Sequence, residues 1–155
     1  MASKETHGQH ESAGAWAKRY HQASQAALEA ILRPYGLGPT QWYVLYQLAH
    51  DGPTRQRDLV RALRVERATM TGVVAALVRK GLVEQIPDPV DLRQKTLRLT
   101  EAGGELWARL PDPIARLRAV AFDGVSEEEQ AQVARILRAA TERLAHHLKK
   151  GSPPS

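Results

Sequence analysis

The chain has 155 residues, 43% hydrophobic and 25% charged, with a formal net charge of +5, values that fit one domain or one compact subunit of a dimer. It contains no cysteine, which excludes disulfide scaffolding, thiolate zinc sites, iron–sulfur clusters and thiol redox sensing. Aromatics make up only 5%, with a single Phe, too few for a β-sandwich or barrel, and no apolar run approaches the ~18–20 residues of a membrane span.

Residues 1–12 are polar and lack the apolar core of a signal peptide, so the sequence predicts a soluble, cytoplasmic protein with disordered tails at 1–12 and 151–155. An amphipathic helix is expected from Ala13 to Arg33, with Trp16, Tyr20, Ala23, Ala27 and Ile31 at helical spacing. Pro34 and Gly36 end it. A second helix starts at Gly38-Pro39-Thr40, carries Trp42, Leu45 and Leu48 on one face, and stops at Asp51-Gly52-Pro53. Thr54 is then placed to cap a short third helix bearing Leu59 and Leu63.

Arg64-Val65 reads as a tight turn into a fourth helix, Glu66 to Lys80, with Met70, Val73, Val74 and Leu77 as its apolar stripe and Gly81 as its C-terminal stop. The period then changes. Leu82 to Ile86 is β-prone, Pro87-Asp88-Pro89 turns the chain, and Thr96 to Leu99 alternates as a second strand. Thr100 can cap a fifth helix containing Leu106 and Leu110, which Pro111 and Pro113 are expected to kink before Ile114, Leu117 and Val120. Ser126-Glu127-Glu128-Glu129 is a capping box opening a last helix, whose Val133, Leu137, Ala140, Leu144 and His147 or Leu148 step like a packing seam. The fold class is therefore mainly α with one hairpin inserted.

Helix, short helix, tight turn, longer helix and hairpin is the order of a winged helix-turn-helix. A helix fits the major groove of B-DNA, and its first turns reach base edges. Arg67, Thr69 and Thr71 are the exposed early positions: Arg67 suits a guanine or a phosphate, and each Thr offers a hydroxyl and a methyl. Arg55, Gln56 and Arg57 open the third helix, where unpaired backbone N–H groups attract phosphate. Arg64 lies in the turn, and Arg93, Lys95 and Arg98 punctuate the hairpin. The positive charge thus concentrates in the elements that would meet duplex DNA. The competing account is a solvated helix surface that happens to be basic.

The stretches Gly38-Pro39-Thr40-Gln41-Trp42-Tyr43-Val44-Leu45, Glu66-Arg67-Ala68-Thr69-Met70-Thr71 and Arg79-Lys80-Gly81-Leu82-Val83 carry a family likeness. So do Asp91-Leu92-Arg93, Leu97-Arg98-Leu99-Thr100 and Glu101-Ala102-Gly103. In this order they resemble the multiple-antibiotic-resistance regulator (MarR) family between Leu37 and Gly103. The resemblance implies a homodimer: dimerisation helices at 13–36 and 101–150 flank a DNA-binding domain at 37–100. It implies Arg93 at the wing tip in the minor groove, with Asp91 fixing that arginine or the wing. It also implies a regulator, more simply a repressor, on a pseudo-palindromic operator, modulated by a small aromatic or anionic effector; Trp16, Tyr20, Tyr43 and Tyr46 are the candidate lining. Gly72 departs from the family, standing where many relatives carry a larger, often basic residue.

Other functions fit less well. The six histidines do not group: His7 and His10 are in the tail, His21 and His50 are far apart in sequence, and His146-His147 suit a helix C-terminus. No metal site or cofactor is expected. No P-loop, nucleophile elbow, zincin or dinucleotide motif is present, so the chain is not read as an enzyme. The alternative is a winged helix used only for protein contacts, which predicts an uncharged recognition face, against Arg67 and Arg93.

Overall fold

The computed structural model describes residues 11–151, so His7, His10 and nearly all of both tails lie outside the described residues. Helix α1 (Ala13–Leu32) is capped by Ser12, whose hydroxyl accepts from the Ala15 amide. A 3-10 turn through Pro34 follows, and Gly36 closes it in the left-handed region at φ 69°. Helix α2 (Pro39–Asp51) buries Trp42, Val44, Leu45 and Leu48 and ends at Gly52.

Thr54 does not cap a helix, contrary to the expectation from sequence. Thr54–Arg55 forms a two-residue strand, β1, and the Thr54 hydroxyl donates to the Gly52 carbonyl instead. Helix α3 (Gln56–Leu63) begins without a side-chain cap. Arg64 turns the chain in the left-handed region, φ 51° and ψ 44°, the sole non-glycine residue with positive φ among those described. Helix α4 (Arg67–Arg79) then buries Met70, Val74 and Leu77.

Gly81, at φ 72°, ends α4 in a Schellman turn: its amide donates to the Val78 carbonyl at 2.9 Å and the Leu82 amide to Leu77 at 3.1 Å. Strands β2 (Val83–Pro87) and β3 (Lys95–Leu99) follow, antiparallel with Val83 opposite Leu99. β1 pairs with the other edge of β3, Thr54 opposite Leu97, so the expected hairpin is a three-stranded sheet of order β1-β3-β2. Helix α2 is central, packing against α1, α4 and β3. Leu28, Leu32, Leu45, Leu59, Met70, Leu77 and Leu97 form the core.

Thr100 caps helix α5 (Glu101–Arg109) and ties it to the sheet: its hydroxyl donates to the Gly81 carbonyl at 2.6 Å and accepts from the Gly103 amide at 3.0 Å. α5 packs on α2 and β3. The expected kink is a full break, because Leu110 is extended before Pro111, and helix α6 (Pro113–Ala121) starts afresh. Of the described residues, 11–113 form one compact unit and 114–151 another. In the second, the Ser126–Glu129 capping box opens α7 (Glu127–Lys149), along which Val133, Ile136, Leu137, Leu144 and Leu148 are exposed. No helix of the described residues is long and apolar enough to cross a membrane.

The loop between β2 and β3 is organised by Asp88, which is buried although it is a carboxylate. Arg55 grips it with two bonds, Nε to Oδ2 at 2.7 Å and Nη2 to Oδ1 at 3.3 Å. The amides of Val90 and Asp91 donate to Oδ1 at 2.9 Å each, and the Thr96 hydroxyl to Oδ2 at 3.4 Å. The Asp91 and Val90 amides, reinforced by Arg55 and opposed by burial, pull the Asp88 carboxyl from 3.8 down to about 2.

A Cβ on Gly103 would lie 2.0 Å from the Leu82 carbonyl oxygen, which is backbone and cannot swing aside. Gly103→Ala should therefore destabilise by ~1–3 kcal/mol, whereas Gly72→Ala, with nothing within 4 Å of the new atom, should stabilise by up to ~1 kcal/mol; urea unfolding of both variants separates the cases. For Asp88 the folded pKa lies below the unfolded one, so its contribution is complete above the ordinary value of 3.8 and disappears as pH falls through about 2. Asp88→Asn should lower stability at neutral pH and flatten the loss between those two pH values. Parallel acid limbs for the two proteins would contradict this.

Candidate nucleic-acid interface

Helices α3 and α4 and the turn at Arg64 form the helix-turn-helix, and the sheet carries the wing. The N-cap of α4 is Glu66, whose side chain makes no capping bond. The first-turn amides of α4 therefore lack a side-chain acceptor, and a phosphate or base oxygen suits them. Arg67 and Thr69 are exposed at this end, as is Thr71. The Thr71 hydroxyl donates back to the Arg67 carbonyl at 3.0 Å, so its proton is held by its own helix and it can offer only lone pairs and a methyl. Gly72, next along the exposed surface, leaves the middle of α4 low and open.

The predicted basic residues divide into two groups. Arg64, Arg67, Arg57, Arg93 and Lys95 are exposed, whereas Arg55 and Arg98 are in ion pairs. Arg55 is the two-pronged partner of Asp88 and is partly buried, so it anchors the wing. Arg98 pairs with Glu84 across the β2–β3 ladder at 2.5 Å, an exposed pair that neutralises part of the sheet's charge. Gln56 is half-buried, and its Oε1 has no partner among the described residues. Asp91 accepts the Arg93 backbone amide on Oδ1 at 3.0 Å; it shapes the loop under Arg93. Asp88 was missed in the sequence, because its partner lies 33 positions away in a strand too short to show a period.

The recognition helix is also fixed at its far end. Lys80, the C-cap of α4, donates from Nζ to the Gly36 carbonyl and to Gln41 Oε1, the latter at 2.8 Å. The end of α4 is thereby clasped to the turn after α1 and the start of α2.

The four aromatic residues suggested for a ligand site do not all gather. Trp16 is exposed, donates from Nε1 to Glu11 at 3.1 Å and has the Arg19 guanidinium 5.0 Å above its ring; Tyr20, on the same helix, is also exposed. Tyr43 and Tyr46 join a cluster that includes three residues not anticipated. Trp42 lies edge-on to Tyr43 at 5.0 Å and 5.8 Å from Trp107, while Tyr46 stacks on His50 at 4.0 Å. His50 Nδ1 donates to the Tyr46 carbonyl at 2.9 Å, which sets that ring. Burial pushes the Tyr43 phenol up, so it remains a neutral hydroxyl. Trp42 is only 5% exposed, and its Nε1 has no hydrogen-bond partner among the described residues. No three His, Asp or Glu of the described residues are grouped to hold a metal ion.

Comparison with known proteins agrees with this architecture. A family model described as MarR family matches residues 35–94. The HTH-type transcriptional regulator YkoM of Bacillus subtilis is 33% identical over 109 residues, 70% of each chain. The HTH-type transcriptional repressor NicR of Pseudomonas putida is 30% identical over 98 residues, 63% of this chain, and the match spans only 62% of NicR's length. Among solved structures, Bordetella bronchiseptica BpsR, studied for the regulation of its DNA binding by 6-hydroxynicotinic acid, superposes with a TM-score of 0.77 at 25% identity. That match covers 85% of this chain and 94% of BpsR. These relatives are regulators and not enzymes, and with the winged helix-turn-helix in place the chain belongs to the MarR family of transcriptional regulators.

Proposed function

We propose that the chain is a homodimeric, cytoplasmic repressor that binds a pseudo-palindromic duplex operator and is released by a small aromatic or anionic effector. One observation carries the DNA reading. The exposed, uncapped start of α4 with Arg67 and Thr69 shares a compact unit with a wing whose Arg93 is held by an internally bonded loop. Arg67, Thr69 and the Thr71 methyl address base edges in the major groove; Arg93 enters the minor groove; Arg57, Arg64 and Lys95 meet phosphate. Arg55 and Asp88, with Asp91, position the wing, and Arg98 is a weaker candidate because Glu84 already holds it. Two copies are required, since α7 leaves an apolar stripe of Val133, Leu137, Leu144 and Leu148 in water, and a second copy covers it. On this reading 13–36 and 101–150 supply the dimerisation helices and 37–100 the DNA-binding domain.

The effector site is assigned to Trp42, Tyr43, Tyr46 and Trp107. The unpartnered Trp42 Nε1 asks for an acceptor, which the carboxylate or ring oxygen of a planar aromatic acid supplies, and the surrounding rings supply stacking surface. BpsR, regulated by 6-hydroxynicotinic acid, supports that chemical class.

Two measurements test these assignments. On a duplex recovered by selecting genomic fragments with the purified protein, affinity should fall steeply with salt. Arg93→Ala should lower the affinity and, because the dimer loses two cations, reduce the magnitude of that slope by about two. Binding that ignores salt would favour a protein-contact module. Titration with 6-hydroxynicotinic acid and other aromatic carboxylates should quench tryptophan fluorescence and weaken the DNA complex, and Trp42→Phe should blunt both effects. A panel that does neither would remove the effector assignment.

A further inference from the structure

Val90 is 87% exposed and Leu92 84%, more than any other large hydrophobic side chain of the described residues. They sit in the loop that carries Arg93, and that loop is not free to tuck them away. Asp88 Oδ1 holds the amides of Val90 and Asp91, Asp91 Oδ1 holds the amide of Arg93, and the Gln94 amide donates to the Asp91 carbonyl at 2.9 Å. The backbone between the two apolar residues is therefore fixed while their side chains stand in water. Arg93 follows Leu92 directly and Lys95 is two positions further, so whatever covers this tip must offer apolar surface and negative charge together.

A DNA minor groove offers both. It is about 6 Å wide, its edges are lined by phosphates, and its deoxyribose walls present C–H groups. Leucine and similar side chains are used by other minor-groove proteins as apolar wedges. We propose that Leu92, supported by Val90, packs inside the minor groove beside Arg93, so that the wing reads groove shape through an apolar contact as well as through charge. This rests on the assignment of the wing to the minor groove.

The two contributions separate by their salt dependence. A cation on phosphate releases counterions, whereas an apolar contact releases none. Affinity of the full chain for the selected genomic duplex is measured over a salt series for Leu92→Ser, Leu92→Met, the Val90→Ser/Leu92→Ser double variant and Arg93→Ala. Leu92→Ser should weaken binding about tenfold at every salt concentration with the slope unchanged, the double variant more, and Leu92→Met should retain most affinity. Both tip residues are exposed, so an unaltered melting temperature is expected and shows that the variants fold. Wild-type affinity in Leu92→Ser, or a loss carried by the slope, overturns the inference. So does a change in oligomeric state, which would place the tip in a protein contact. If Arg93→Ala behaves as wild type, the minor-groove assignment itself has failed; if Arg93→Ala loses affinity and Leu92→Ser does not, only the apolar contact has.

Discussion

The winged helix-turn-helix depends on one buried carboxylate. Asp88 gathers donors from β1 through Arg55, from β3 through Thr96, and from its own loop through two amides. A charge taken out of water is costly unless it is paired and bonded throughout, and here each oxygen has more than one donor. A strand of two residues makes too little ladder to hold itself in place. The ion pair between Arg55 and Asp88 supplies what the ladder lacks, and it makes the start of α3 and the base of the wing a single mechanical part.

A second knot lies where α4, β2 and α5 meet. The Schellman turn at Gly81 hands the chain from helix to strand, and Thr100 closes back on the Gly81 carbonyl while capping α5. Gly103 lets α5 approach the Leu82 carbonyl more closely than any side chain would permit. Trp107, one turn further along α5, faces Trp42 on α2. The aromatic cluster and the root of the wing therefore meet on one helix, α5.

Much of this was legible from local pattern. Helical spacing placed Trp42, Leu45 and Leu48 on a buried face, and the caps at Thr100 and Ser126 fall where the residue types put them. Family motifs located the wing, which periodicity alone could not orient. What was not legible is non-local or too short to have a period. β1 exists because Thr54 and Arg55 find β3, more than forty residues away. Thr54 looked like a cap because a hydroxyl before a helix usually is one, yet sheet pairing drew it away. The break at Leu110 goes further than the expected kink, because Pro111 disfavours helix in the residue before it and Leu110 is extended. The meeting of Trp42 with Trp107 could not be inferred, since nothing in either helix names its partner.

Arg64 has a consequence for how such a regulator could be retuned. Elsewhere among the described residues, every left-handed position is glycine; here the chain tolerates a Cβ in the region that L-residues avoid and keeps an exposed guanidinium in exchange. Glycine at this bend would relieve the torsional strain while enlarging the freedom of the unfolded chain, so the net change in stability stays small. The cation would be lost outright. Ruggedness and surface charge are thus nearly uncoupled at this one corner, a dial that can be turned without reshaping the helices on either side.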